Sequence, residues 1–217
     1  FCEKNKFEKN DNQIKIINLL IDFINPKSNF FNLFFKSKEK KCFYLSGNVG
    51  VGKTMILNYF YDFLDIPKQR MHFNEFMINF HDYRHKNEEN SIYLFVKKLK
   101  QKTKLIYLDE LQVTNIVDAM ILGKLFEKIF ENNVRVIFSS NTNMKDLYKN
   151  GLQREQFIPF IKILEHNCSE IELKIEEDYR TSKNIILDRF LSPIDKSSNF
   201  KFNKFFRQMT KNKEKTI

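Results

Sequence analysis

The sequence has no tryptophan, three cysteines, and five glycines in 217 residues. It also has no apolar run of eighteen residues or more. Each shortage excludes a class. Cys2, Cys42 and Cys168 are far apart and form no CxxC pair. That argues against a disulfide framework or a zinc ribbon and suits a reducing compartment. The nearest membrane candidate, IINLLIDFI, is short and is broken by Asn18 and Asp22, so no span is expected. The first residues, FCEKNK, lack both an initiator Met and the apolar core of a secretory signal. The chain is therefore expected to be a fragment or a processed form.

What is present points to a folded protein. Hydrophobic residues make up 42% of the chain, and its length allows one good-sized core with a small appendage. The formal charge is +10, which favours polyanionic partners. The basic residues are scattered and accompany a general richness in Lys, Asn, Ile and Phe. Compositional bias therefore outweighs a dedicated nucleic-acid face.

Along the chain, apolar strands alternate with amphipathic helices. Residues 13–24 have helical spacing at Ile16, Leu19, Leu20, Phe23 and Ile24, and Asn25-Pro26 ends that helix. The stretch 27–41 reads as a connector ending in KSKEKK, a solvated charge run. Strands are expected at 42–46, 70–76, 104–109, 134–140 and 169–175. Helices are expected at 52–64, 76–86, 91–101 and 116–130, with short ones near 143–149 and 154–165. In the 116–130 helix, Val117, Met120, Ile121, Leu125 and Ile129 form the apolar stripe. Such alternation implies βαβ units and a largely parallel sheet with helices on both faces. The expected divisions are an N-terminal helix and charged connector (1–41), an α/β core (42–177), and a helical, basic tail (178–217). Phe30, Phe31, Phe34 and Phe35 form an aromatic patch best explained by a core-facing element.

Three of the five glycines fall in GNVGVGKT, Gly47 to Thr54, between a strand and a helix. This is the GxxxxGK[ST] phosphate-binding loop. The glycines Gly47, Gly50 and Gly52 free the backbone between Asn48, Val49 and Val51 to turn its N–H groups inward as an anion nest. The following helix adds the positive end of its dipole. Lys53 is expected to reach the β and γ phosphates, and the Thr54 hydroxyl to ligate Mg²⁺. A second site is needed to decide the nucleotide's fate, and LIYLDE (105–110) supplies it. Asp109 stands at a strand's C-terminal end, where ligands sit in a parallel sheet, and can hold Mg²⁺. Glu110 can orient or deprotonate an attacking water, an acid that a small-molecule kinase does not need. Asn141, after the next strand, is expected beside Glu110, though an ordinary helix-capping Asn explains the spacing too. Arg154, in NGLQREQF, reads as a solvated charge or as an arginine finger onto a neighbouring subunit. His81 and His85 have a metal-compatible spacing but lack the HExxH glutamate and a third ligand.

Taken together, these blocks resemble the ZapE-like family of AAA+ ATPases, bacterial proteins with mitochondrial relatives. The resemblance runs from about residue 42 to about 181 through GNVGVGKT, MHFNEFMINFH, DELQVTNIVDAMILGKLF, SSN, DLYKNGLQREQFIPFI and DYR. It implies a P-loop NTPase of the AAA+ type: a three-layer αβα core with a mostly parallel sheet, followed by a small, incomplete helical lid. It implies ATP and Mg²⁺ as ligands, with Lys53, Thr54, Asp109 and Glu110 at the shared ATPase positions. Asn141 matches the sensor position, and the GLQR block strengthens Arg154 as the finger. Further implications are self-assembly into a ring or dimer and a protein client from cell division or the membrane. The expected location is the cytoplasm, at the membrane or division site, or else the mitochondrial matrix. His72 and His81 match family positions without an evident role, and Arg180 lies where core meets lid. Asn115 stands where the family usually has Asp. A DNA-linked ATPase such as a helicase loader is the competing reading, and nucleic acid is the less favoured partner.

Overall fold

The computed structural model of the chain describes residues 11–25, 39–87 and 90–174. Five parallel strands form its centre: β1 (Cys42–Ser46), β2 (Lys68–His72), β3 (Leu105–Asp109), β4 (Arg135–Ser140) and β5 (Cys168–Glu172). They lie in the order β2-β3-β4-β1-β5. The helices are α1 (Asp11–Ile24), α2 (Lys53–Phe63), α3 (Phe73–Lys86), α4 (Ser91–Lys102), α5 (Ile116–Glu131) and α6 (Ile158–Asn167). Short 3₁₀ turns occupy Met144–Asp146 and Arg154–Gln156. Among the described residues, no helix is long and apolar enough to cross a membrane.

Strand alternation sorts the core into two layers. Phe43, Leu45, Leu105, Tyr107 and Ile137 point to one face and pack against Ile16 and Leu20 of α1 and Ile56, Leu57 and Phe60 of α2. Tyr44, Ile106, Leu108, Val136 and Phe138 point to the other and meet α3, α4, α5 and α6. Both faces are covered, so β1 and β3 are buried along their whole length, as all-parallel strands require. The β1–β4 ladder runs from Cys42↔Val136 to Ser46↔Ser140, which sets the ends of these strands level.

Four expectations are corrected. The second strand was expected at 70–76, but it spans Lys68–His72, because its ladder with β3 ends at His72↔Asp109. Phe73, Phe76, Met77 and Phe80 are buried at helical spacing and belong to α3. The apolar stripe of α5 is turned from the expected one. Ala119, Leu122, Leu125, Phe126, Ile129 and Phe130 are buried, while Val117 and Met120 are 44% and 52% exposed. The sequence offers two overlapping stripes, and the aromatic core selects one: the Phe126 ring lies 5.8, 5.3 and 5.4 Å from those of Phe76, Phe138 and Phe160.

The end of the connector is not merely solvated. Lys40 donates to the carbonyls of Glu165 and His166 in the last turn of α6, and Lys41 to that of Phe130 in the last turn of α5. Finally, Cys42 and Cys168 are joined in a disulfide between β1 and β5, against the expectation of unpaired thiols. They are 126 residues apart, and only the strand register, which sets Cys42 opposite Cys168, brings them together. The Phe30–Phe35 patch, the tail from 178 to 217 and Arg180 lie outside the described residues.

Candidate nucleotide site

The phosphate loop leaves β1 at Ser46 and enters α2 at Lys53. Gly47 has φ +151°, and a Cβ there would lie 2.6 Å from the carbonyl oxygen of Leu173, so no side chain fits. Gly52, at φ +92°, is the residue before the helix, a left-handed conformation that glycine adopts without a steric cost. Lys53 is 7% exposed and bends back across the loop. Its ammonium donates to the carbonyls of Gly47 and Asn48 at 2.7 and 2.9 Å and to Asn141 Oδ1 at 2.9 Å. β4 adjoins β1, so the residue after Ser140 reaches the loop. The Tyr44 hydroxyl donates to the Thr142 carbonyl at 2.8 Å and steadies the turn that carries Asn141. The amide oxygen of Asn141 thus contacts Lys53, a partner that spacing alone did not indicate.

Asp109 closes β3 and is 2% exposed. The Ser139 hydroxyl donates to its Oδ1, and Arg70 donates to its Oδ2 at 3.1 Å. Burial pushes this carboxyl up, but the hydrogen bonds and the nearby guanidinium charge outweigh it and hold the group below the ordinary carboxylate value. The Ser139 hydroxyl also accepts from the Glu110 N–H at 3.0 Å, so one side chain orders both acids. Glu110 has φ 57°, uncommon for a residue with a side chain. That turn carries its carboxylate off the strand into an exposed position, where His72 Nδ1 lies 3.7 Å away.

Sequence reasoning found the loop and the two acids but missed Arg70 and Ser139. Ser139 was in view in SSN, and only the β3–β4 pairing shows what it faces. Arg70 had one signal, a cation on the same face of its strand as His72, two residues on. His81 Nε2 lies 2.6 Å from Asp118 Oδ1, a contact that ties α3 to α5. Asn115 caps α5, its side chain accepting from the Val117 N–H at 2.8 Å. Asp caps as well as Asn, so the exchange costs the fold nothing. Arg154 is not brought to the loop or the acids. Its guanidinium donates to the Lys145 carbonyl at 2.6 Å, and among the described residues its buried Nε has no hydrogen-bond partner.

The donor set suits Mg²⁺, a hard cation that keeps several waters and takes few protein ligands beside phosphate oxygens. Thr54 and Asp109 offer one hydroxyl and one ionised carboxylate. Among the described residues, no cluster of three or more His, Cys, Asp or Glu side chains could hold a metal alone, so waters and phosphate oxygens would complete the shell.

The chain is 40% identical over 153 residues to lactation elevated protein 1 homolog B of Danio rerio, covering 64% of this chain and 30% of that one. It is 32% identical over 154 residues to the cell division protein ZapE of Escherichia coli (strain K12), covering 70% of this chain and 41% of that one. The chain thus spans less than half the length of these relatives. Among solved structures, DnaI superposes with a TM-score of 0.55 at 20% identity, covering 77% of this chain and 84% of that one. The fold is that of the P-loop AAA+ proteins. The sequence model of the AFG1-like ATPases matches residues 8–217, and the chain belongs to that family.

Proposed function

We propose that the chain is the catalytic core of a Mg²⁺-dependent ATP hydrolase that remodels a protein client. One observation carries this reading. A nearly buried lysine is held on two loop carbonyls at the N-terminus of α2, with Asn141 touching it and an ionised acid at the exit of β3. A cation held at the positive end of a helix dipole is suited to receive an anion.

In the proposed cycle, the N–H groups of Gly47 to Thr54 and the α2 dipole receive the phosphates. The Lys53 ammonium moves from the Gly47 and Asn48 carbonyls onto the phosphate oxygens and offsets charge developing at the γ-phosphate. Thr54 and Asp109 would hold the metal, which when bound would supply charge neutralisation on the phosphate oxygens. Glu110 orients the attacking water and accepts its proton, its left-handed backbone aiming the carboxylate off the sheet. Asn141 fixes Lys53 and contacts the γ-phosphate. Arg154 acts on the nucleotide of a neighbouring subunit in a ring or dimer. Hydrolysis then alters subunit geometry and drives work on the client. ZapE is named a cell division protein, and by that likeness the client is a division protein.

The Glu110→Gln variant tests the chemistry. It should bind ATP as the parent does while turnover falls by about 10² to 10⁴. Phosphate release at the parent rate would sink the mechanism. The same variant, loaded with ATP, should retain its client in a pull-down that the nucleotide-free protein does not.

A further inference from the structure

β2 is an edge strand with a polar sequence, KQRMH, yet one of its side chains reaches the centre of the site. Arg70 stands opposite Tyr107 in the β2–β3 ladder, one same-face step from Asp109. Its guanidinium lies 5.2 Å from the centroid of the Tyr107 ring, and its terminal nitrogen donates to Asp109 Oδ2 at 3.1 Å. Ser139 takes the other oxygen. Both oxygens of the acid are therefore engaged by donors of this chain.

The two partners of the ion pair differ in their access to water. The Asp109 side chain is 3% exposed and that of Arg70 is 36%. A carboxylate so enclosed needs a counter-charge, and the neutral Ser139 hydroxyl cannot supply one. Arg70 can leave for solvent at modest cost, because its head is already partly wet. A divalent cation at Asp109 would repel a guanidinium hydrogen-bonded to the same group.

We propose that Arg70 is a placeholder for the metal, holding Asp109 in position while the site is empty and giving up Oδ2 when Mg²⁺ and ATP load. This rests on the reading above that Asp109 holds Mg²⁺. Arg70 is a positioning residue here and is assigned no contact with the phosphates or the attacking water.

The test measures binding of a fluorescent ATP analogue as Mg²⁺ is raised. In Arg70→Gln, the Mg²⁺ concentration for half-maximal binding should fall about three- to ten-fold, the range of a charge-assisted bond at a partly exposed pair. Arg70→Met keeps the stem over Tyr107 without the charge and reports the same quantity if the Gln variant does not fold. Arg70→Lys should stay within about twofold of the parent, since it keeps the charge. The nucleotide-free Gln variant should also melt below the parent, and saturating Mg²⁺ and ATP should close that gap. An unchanged or raised Mg²⁺ requirement, a Lys variant that behaves like Gln, or a melting gap that persists in the loaded protein would each overturn the proposal. Asp109→Asn separates the two levels. If that variant keeps the parent's Mg²⁺ dependence, the metal reading itself is wrong.

Discussion

The two ends of the sheet make the same contact, a lysine ammonium on backbone carbonyls, with opposite electrostatics. At the N-terminal edge, Lys40 and Lys41 meet the last carbonyls of α6 and α5 at 2.7 to 3.1 Å. A helix C-terminus carries partial negative charge, so these cations complete the fold. At the C-terminal edge, Lys53 meets the carbonyls of Gly47 and Asn48 at 2.7 and 2.9 Å. It opens α2, where the dipole is positive and a cation is unwelcome. One edge has its charges settled. The other holds two like charges together and is relieved by an anion. The contrast sets the C-terminal edge apart as the one that a bound anion would relieve.

The largest expected effect sharpens this contrast. Lys53→Ala should weaken ATP binding by ~100-fold, as loss of a charge-assisted phosphate contact implies. The empty variant should be no less stable than the parent, measured by urea unfolding beside nucleotide titration. A marked loss of stability would make Lys53 a structural residue like Lys41.

Next is the packed face between the edges, where α5 gives a yardstick for effects on stability alone. Leu122→Ala should cost about 2–5 kcal/mol, since its side chain is fully buried, while Met120→Ala should stay within about 0.5 kcal/mol. Equal losses would restore the stripe expected from the sequence. A smaller effect is expected at Glu110. Glu110→Gly should raise stability by about 1 kcal/mol by relieving the φ of 57°, while abolishing turnover. A destabilised glycine variant would show that the turn is not strained. The smallest effect belongs to the settled edge. Lys41→Ala should lower stability by about 0.5 kcal/mol and leave ATP affinity unchanged. A change in affinity would break the division between the two ends.

Much of the site was legible because its residues are local in sequence. GNVGVGKT needs only its own strand, turn and helix, and LIYLDE only its own strand end. What was not legible depends on strands far apart in the chain. Arg70 and Ser139 meet at Asp109 only because β2 and β4 flank β3. Lys40 and Lys41 read as a solvent run until α5 and α6 end beside them. The sequence leaves the end of the second strand open because Phe73 and Phe76 suit a strand or a helix equally well. The end of the β3 ladder settles that choice.

The sequence by itself determined the alternation of strands and helices, the phosphate loop and the acid pair at the third strand. These rest on residue type and short spacing, which act within a few residues. Tertiary structure alone decided which face of α5 is buried, which cation neutralises Asp109, and that Cys42 meets Cys168. The physical reason is common to all three: burial and charge pairing depend on neighbours that only the sheet order brings within reach.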